Sequence, residues 1–450
     1  MASPSSAPSS APSSAPSSAP SSAPSSAASG TGSRVPDRLP DVKTQNWWAR
    51  LWRPFWVLPL VICASAFGLG LGLPLLDAAV GAHLPYVFQG GPEGARGLLG
   101  TIAGAMISVM GLVFSITMVV LQLASSQFTP RVLSNFLESR ITQATLGIFA
   151  ASFIFALTVL RSVQGDYQGE FVPQLSVTIA FLMVVTAVGM FMAFIHHITT
   201  SIQVAQIISS VGEDTVRLCQ TYFDPPEDAP NADSPTFEPS PTMVRTTVTS
   251  RSRHGHVTQI DYPRLWDCAQ KNEVVVEIHV AVGAFVTEED TLATIWGPSS
   301  VEGDTCKAIA GAIRLEATRA AHQDPGFGIR RLVDVADRAL SPGINDPTTA
   351  TQVLDELHRI LRILVQRRTP NKVIAEDGVV RIVHHPQEIP ELISLSIEEI
   401  MHYGEETVQI PKRMRDMLTD LLSHARAEYR PLLQRWLDEI PPEVPKEPRP

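Results

Sequence analysis

The sequence predicts an α-helical membrane protein with four transmembrane helices and a cytoplasmic α+β domain, in which a small β-rich subdomain precedes a helical subdomain. The first observation behind this prediction is the presence of four long uncharged apolar segments within the first 200 residues. The second is the distribution of charge. Residues 1–212 hold 9 basic and 7 acidic residues, which leaves 26 of the 35 basic and 38 of the 45 acidic residues for positions 213–450. An apolar half therefore precedes an acidic half.

The four apolar segments are each long enough to cross a bilayer. A hydrocarbon core of about 30 Å needs about 20 apolar residues in a helix. The predicted spans are 54–76, 97–123, 141–160 and 171–195. The second span lies inside an uncharged run of 34 residues, 97–130, which would measure about 51 Å as one helix. We therefore expect the second span to protrude from the bilayer or to tilt.

Basic residues predict the orientation of the spans, because Lys and Arg accumulate in the cytoplasmic flanks of transmembrane helices. Such residues precede the first span and lie between the second and third, at Arg34, Arg38, Lys43, Arg50, Arg53, Arg131 and Arg140. Four spans place both termini on the same side of the membrane. Both termini are therefore expected in the cytoplasm.

Composition and periodicity divide the chain into six parts. They are a disordered Ser/Pro/Ala-rich tail (1–45), a membrane domain that ends in a helical stalk (46–212), the stalk end with an acidic linker (213–243), a β-rich subdomain (244–300), a mainly helical subdomain (301–439) and a Pro-rich tail (440–450). The first tail cannot bury enough apolar surface to fold. The stalk is predicted to continue the fourth span, because Ile198, Ile202 and Ile208 recur at helical spacing.

Secondary structure in the second half follows from local patterns. Short β-branched runs predict strands in the β-rich subdomain, with a short helix at 262–270. Helical periodicity then predicts helices at about 303–322, 328–340, 348–368, 388–403, 411–424 and 425–438. A hairpin is predicted at 371–385, around Glu376-Asp377-Gly378.

Small residues form a stripe along one face of the second span. The stripe consists of Gly100, Gly104, Ser108, Gly111 and Ser115, which recur every three or four residues. Small residues let membrane helices approach one another closely, so the favoured interpretation is packing, either within one chain or across an oligomer interface. The alternative is a pore-lining face, to which Thr117 and Gln122 would add a hydroxyl and an amide beside the two serines.

Titratable residues are scarce near the membrane. His196 and His197 lie where the fourth span leaves the cytoplasmic face, and imidazole titrates close to physiological pH. They are candidates for a pH-sensitive interface, beside the favoured interpretation as ordinary interfacial residues. None of the predicted spans contains a formal charge, which weakens a proton-coupled pump or antiporter, because such proteins carry intramembrane carboxylates or lysines.

Residues 324–350 are the most distinctive polar segment of the second half. Arg330 and Asp334 are four residues apart and should pair along one helix face. Asp346 followed by Pro347 fits the cap and first position of a helix. Local structure therefore accounts for much of this segment.

A functional interpretation of the same segment uses its loop. The loop from Ser341 to Asp346, which includes Asn345, would form a polar site together with Arg330 and Arg331. Such a site could bind a small ligand or contact the membrane domain, because loops on rigid scaffolds often carry function.

Composition and motifs weigh against several classes of function. Binding to a phosphate backbone needs clustered Lys and Arg, so the acidic second half argues against nucleic acid as a principal partner. The four cysteines, Cys63, Cys219, Cys268 and Cys306, lie far apart and are interpreted as reduced and structural. No metal site or cofactor is predicted, because His254, His256 and His279 have no Cys or acidic residue at ligand spacing. No catalytic motif occurs, so no enzymatic activity is predicted.

Two strings carry a family resemblance. They are GLVFSITMVVLQLASSQFTPR at 111–131 and FGIRRLVDVADRALSPGINDPTTA at 327–350. Together with four spans, they resemble the bacterial predicted membrane proteins called domain of unknown function 2254, over roughly residues 45–430. The resemblance implies a bacterial inner-membrane location and marks 327–350 as a hallmark segment. It implies no activity and no catalytic or binding residue.

Two functional hypotheses follow. The leading one is a homo-oligomeric channel-like or transport-related protein, in which the second span lines or gates a path for ions and the cytoplasmic domain regulates it. The other is a membrane-anchored sensor or scaffold, whose spans hold and oligomerise a domain that binds a ligand or a protein near 324–350. In both, bilayer lipid and further copies of the chain are the partners.

Overall fold

Four long helices form the first part of the computed structural model, which describes residues 54–80, 88–127, 139–164, 171–201, 203–225 and 236–441. The predicted tail 1–45, linker residues 226–235 and positions 442–450 lie outside this description. The four helices are α1 (Val57–Val80), α2 (Pro92–Gln127), α3 (Arg140–Leu160) and α4 (Gln174–Ser201). All four are long and apolar enough to cross a membrane, so the four predicted apolar helices are confirmed.

Helix α3 is the centre of this bundle and packs against α1, α2 and α4. In its most apolar stretch 56% of residues are buried, against 17% in each of the other three helices. Close approach of α1 and α3 depends on two glycines. A Cβ at Gly147 would lie 3.1 Å from the Cα of Pro59, and one at Gly70 would lie 2.9 Å from the Cβ of Thr158.

The segment predicted as a stalk is a separate helix. Helix α4 ends at Ser201, Gln203 is extended with φ −67° and ψ 122°, and α5 (Val204–Tyr222) begins directly afterwards. Helix α5 runs ten residues beyond the predicted end at 212. Its apolar face, which includes Ile208 and Val211, is buried in the core of the C-terminal region. The helical periodicity of this segment therefore reflects packing against the C-terminal helices rather than a free extension of the span.

A helical bundle forms around α5 in the C-terminal region. Its other members are α8 (Pro325–Leu340), α9 (Pro347–Leu364), α10 (Ile389–Gly404), α11 (Gln409–His424) and α12 (Arg430–Glu439). Helices α8 and α9 begin in the same way, with an Asp cap followed directly by Pro. Pro fits the first helical turn because its fixed φ suits a helix and its missing N–H needs no partner there.

Two sheets form the β-rich part. The strands are β1 (Val244–Thr249), β2 (Gly255–Ile260), β3 (Val275–Ile278), β4 (Phe285–Val286), β5 (Thr291–Gly297), β6 (Ile313–Glu316), β7 (Val373–Glu376) and β8 (Val379–Val383). Their orders are β1-β5-β3-β8-β7 and β4-β2-β6. Two helices, α6 (Tyr262–Lys271) and α7 (Gly303–Ala312), accompany them.

Two elements differ from the sequence prediction. The helix predicted over 303–322 ends at Ala312, and the chain continues as β6, which pairs with β2 because Ile313 is buried beside Ile260. The hairpin predicted at 371–385 forms β7 and β8, but it belongs to the larger sheet. There β8 pairs in parallel with β3, through Val276 and Ile382. The second half is thus a mixed α/β region in which chain segments from both predicted subdomains share one sheet.

Candidate functional site

The small-residue stripe of α2 lies on the outer surface of the described spans. All five of its residues are exposed, and so is Gln122 farther along the helix. A Cβ atom at Gly100, Gly104 or Gly111 would meet no atom within 4 Å. The hydroxyl of Ser108 donates to the carbonyl of Gly104 at 2.9 Å, so its own helix satisfies it.

The opposite face of α2 makes the contacts with the rest of the bundle. Its buried residues include Leu99, Met106 and Val113, which lie about half a turn around the helix from the stripe. Packing among the spans of one chain was one of the roles open from the sequence. Among the described residues, this packing does not use the stripe. The stripe can therefore face a second copy of the chain, a pore or lipid.

Thr117 lies away from the stripe, at a cavity of about 150 Å³ between α2, α3 and α4. Its hydroxyl donates to the carbonyl of Val113 at 2.8 Å. His197 lines the same cavity, and its Nε2 lies 2.7 Å from Oγ of Ser139. The neighbouring His196 is exposed. The two predicted histidines thus have different surroundings.

The start of α8 is fixed to the β-rich part through Asp324, whose side chain is buried. Its Oδ1 accepts hydrogen bonds from the backbone N of Phe327 at 2.9 Å and from Nε2 of Gln387 at 2.7 Å. Its Oδ2 accepts from Nε and Nη2 of Arg319 at 3.0 and 2.7 Å. Gln387 also donates to the carbonyl of Val282 at 3.2 Å. These contacts orient α8 relative to both sheets.

A cluster of charged side chains joins α8 to α10. Arg330 donates from Nε to Asp334 at 2.9 Å, as the spacing predicts, and from Nη2 to Glu399 at 2.7 Å. Glu399 also shares a hydrogen bond with Asp337. Burial, followed by the hydrogen bond and charge of Glu399, raises the pKa of Asp337 to about 8. Hydrogen bonds from Arg330 and Asp337 lower the pKa of Glu399.

Arg331 points away from this cluster and is buried against α5. It is 6% exposed, and its Nε and Nη2 atoms have no hydrogen-bond acceptor among the described residues. Burial lowers the pKa of its guanidinium, and the charge of Asp214 on α5 opposes that effect. Burying these two nitrogens without acceptors is costly, because their hydration is lost without replacement.

The loop between α8 and α9 is the remaining part of the predicted polar site. Ser341 donates through Oγ to the carbonyl of Arg338 at 2.6 Å, and Asn345 has a φ of 50°. Asp346 caps α9 by accepting from the N and Oγ1 atoms of Thr349 at 3.1 and 2.6 Å. These hydrogen bonds lower the pKa of Asp346.

The residues predicted to form one polar site do not come together. Ser341 lies eleven positions after Arg330, which corresponds to about 16 Å along a helix. Arg330 faces α10, whereas Arg331 faces α5. The hallmark segment therefore supplies three separate features, namely a charged cluster, a buried arginine and a capped loop.

Comparison with known sequences identifies the family. A family model described as "Predicted membrane protein (DUF2254)" matches residues 52–420, which include all four apolar helices and the hallmark segment. The chain belongs to this family. The resemblance found in the two strings is thereby confirmed.

Relatives of this DUF2254 chain occur in mycobacteria. The uncharacterized protein Mb1321c of Mycobacterium bovis and the uncharacterized protein Rv1290c of Mycobacterium tuberculosis are each 31% identical to it over 326 residues. The match covers 71% of this chain and 62% of each relative, so it spans less than two thirds of their length. No solved structure matches the chain.

Several residues that form the contacts of α8 in this DUF2254 chain were not predicted from the sequence. Asp337 lies seven residues after Arg330, which places it on the same helix face, so helical spacing could have found it. Glu399 and Gln387 are distant in sequence, and no local signal connects them to α8. Among the described residues, no group of three His, Cys, Asp or Glu side chains could hold a metal ion.

Proposed function

We propose that the protein is a homo-oligomeric, channel-like protein of the bacterial inner membrane, with both termini in the cytoplasm. In this proposal, α2 helices from several copies surround a path for ions, and the acidic C-terminal region regulates it from the cytoplasm. We assign it no enzymatic activity. The observation that carries the proposal is the stripe of α2, which lies opposite the face that α2 uses within its own chain.

Three properties of the stripe support a contact between copies. Its glycines have open space above them, so a second helix could approach the backbone closely. Helix α2 has 36 residues and is about 54 Å long, which exceeds the hydrocarbon core. Ser108, Ser115 and Gln122 bring polar atoms to the same exposed face, where a path between subunits would need them.

A matched pair of substitutions tests the assembly. Gly104→Leu adds a bulky side chain to the stripe, whereas Gly189→Leu adds the same group to an exposed position of α4 that also has no atom within 4 Å. Neither change should disturb the fold of one chain. We expect Gly104→Leu to lower the number of subunits per particle, measured by light scattering in detergent, and Gly189→Leu to leave it unchanged. Equal subunit numbers in all three proteins would contradict the proposal.

Conductance tests the path itself. Planar bilayers containing the unaltered protein should show ion conductance, and Ser115→Asp should shift its selectivity towards cations, because a ring of carboxylates attracts them. Intact oligomers that stay silent at varied voltage, pH and membrane tension would contradict a channel.

A second function, a membrane-anchored sensor, is favoured by the cluster of Arg330, Asp334, Asp337 and Glu399. A carboxyl group with a pKa of about 8 changes its charge near neutral pH, so this cluster could report cytoplasmic pH. The charged groups that act on Asp337 are Arg330 and Asp334 from its own helix and Glu399 from α10. A sensor of this kind predicts that Asp337→Asn removes a pH response while the oligomer stays intact. A response that persists in the variant would rule out this role.

A further inference from the structure

The end of the C-terminal bundle next to α4 carries an unusual set of exposed apolar side chains. Six large apolar residues are exposed in the described part of the chain after α4. Three of them, Ile344, Tyr403 and Val408, lie in or beside two loops, 341–346 and 405–408, which the helix pairings below place at the same end of the bundle. Single exposed apolar residues are normal on protein surfaces, whereas clustered ones mark an interaction site. We call Ile344, Tyr403 and Val408 the junction patch.

Helix pairing places the first loop at the start of α5. Helix α8 runs antiparallel to α5. A Cβ at Gly328 would contact Thr215 in the middle of α5. The start of α8 lies near the end of α5, because Gln387 accepts from the backbone N of Gly326 and donates through its own backbone N to the hydroxyl of Tyr222 at 3.3 Å. Eleven residues after Gly328, α8 reaches Ala339, which is therefore level with Val204. The loop continues beyond this point, towards the end of α4.

Helix α9 gives the same result independently. A Cβ at Gly212 would contact the side chains of Glu356 and Arg359, and α9 runs parallel to α5, because Arg367 donates to the carbonyl of Gln220 at 3.0 Å. Nine residues before Glu356, α9 begins at Pro347, level with Gln203. The loop 341–346 thus lies beside the position where the chain leaves α4.

The second loop lies at the same end of the bundle. Helix α10 runs parallel to α8, because a Cβ at Gly326 would lie 3.2 Å from Leu392 and Arg330 bonds Glu399. Helix α10 therefore ends at Gly404 close to the end of α8. The loop 405–408 follows directly and connects to α11.

We propose that the junction patch inserts into the headgroup region of the bilayer that holds the spans. This inference rests on α4 crossing the membrane and is independent of whether a channel exists. Tyr suits this zone because it combines an apolar ring with a polar hydroxyl. Exposed Glu405 and Glu406 beside the patch, with Lys412 nearby, give the loop no excess of positive charge. The contact is therefore apolar and needs no anionic lipid.

A photocrosslinker at matched positions tests the contact. The full chain is placed in phosphatidylcholine vesicles with p-benzoylphenylalanine in place of Tyr403 or Val408. Phe285 is the matched control, because it is an aromatic residue of the β-rich part with 57% exposure, against 53% for Tyr403. Phe181 on α4, 58% exposed, is the control for a lipid-facing span. After illumination, peptides are analysed by mass spectrometry for a shift equal to one phospholipid.

We expect the lipid mass shift at positions 181, 403 and 408 and no such shift at position 285. Adducts at 181 combined with yields at 403 and 408 no higher than at 285 would overturn the inference. Crosslinks from 403 or 408 to a second copy of the chain, without lipid adducts, would also overturn it and would make the patch a protein interface. If 181, 403 and 408 all lacked lipid adducts, the membrane placement of α4 would fail together with this inference.

Discussion

The glycines of the α2 stripe and three glycines of the C-terminal region are used in opposite ways. In the C-terminal region, a Cβ at Gly212, Gly328 or Gly404 would collide with a side chain of another element or of the next turn. Along α2, a Cβ at Gly100, Gly104 or Gly111 would meet no atom of the described residues within 4 Å. These three glycines of the C-terminal region are thus explained by contacts inside one chain.

The difference indicates where an external partner is to be sought. Within the spans, Gly70 and Gly147 already provide the close approach of α1 and α3. The stripe of α2 is therefore surplus to the packing of one chain, although an exposed Gly in a helix interior costs about 1 kcal/mol relative to Ala. The cost is offset if the stripe packs against another molecule.

The largest expected effect concerns a glycine with no free space. Gly328→Leu should lower the free energy of unfolding of the C-terminal region by about 3 kcal/mol, because the new side chain collides with Thr215 on α5. Urea titration of the full chain in detergent, followed by tryptophan fluorescence, measures the change. Buried Trp266 lies within the region that unfolds.

Gly104→Leu is the matched control in the same titration and should leave the urea midpoint unchanged. An equal decrease of the urea midpoint in both variants would contradict the difference between the α2 glycines and those of the C-terminal region. The difference would also fail if Gly328→Leu were tolerated, since α5 and α8 would then have room to separate.

The sequence predicted most of what depends on local pattern. Uncharged length located the four apolar helices, and the Asp346–Pro347 pair located the start of α9. The start of α8 was predicted three residues late, at 328 instead of Pro325. Contacts between distant segments were not predictable in this way. The periodicity of segment 204–212 fits both a stalk and a core helix. The segment is a core helix because its apolar residues pack against the apolar faces of α8 and α9, which are distant in sequence.

The candidate site shows the same division. The pairing of Arg330 with Asp334 follows from helical spacing, but the pairing with Glu399 depends on the parallel packing of α8 and α10. The adjacent arginines of the hallmark segment look equivalent in sequence. The structure separates them, because consecutive helix positions point about 100° apart and reach different neighbours.

The next prediction uses these two arginines, because Arg330 is paired with two carboxylates whereas two nitrogens of Arg331 have no acceptor among the described residues. Arg330→Met should lower the free energy of unfolding by about 2 kcal/mol, since Asp334 and Glu399 lose charged hydrogen bonds. Arg331→Met should raise it by about 1 kcal/mol, since a buried guanidinium, two of whose nitrogens have no acceptor among the described residues, is replaced by an apolar chain. The same urea titration measures both.

The opposite signs are the decisive feature of this pair. A loss of stability in Arg331→Met as large as that in Arg330→Met would show that the buried guanidinium has a counter-charge in solution. The C-terminal region would then depend on a bound anion or on movement of Asp214.

The last prediction is the pH dependence caused by Asp337. Its pKa is about 8 in the folded chain and about 3.9 in an unfolded one. Because the folded state holds the proton more tightly, the stabilisation is complete at low pH and is lost as pH rises from about 4 through 8. Asp337 is partly exposed, so the slope should be below the limit of about 1.4 kcal/mol per pH unit.

Asp337→Asn isolates this contribution, because the amide keeps a donor for Glu399 and does not titrate. Relative to the unaltered chain, the variant should become progressively more stable between pH 6 and pH 8.5. Urea midpoints of both proteins at each pH give the difference directly. A difference that stays constant over this range would mean that Asp337 is already ionised at pH 6. The charged cluster would then be a structural contact like those around Asp324, and the sensor hypothesis would lose the observation that favours it.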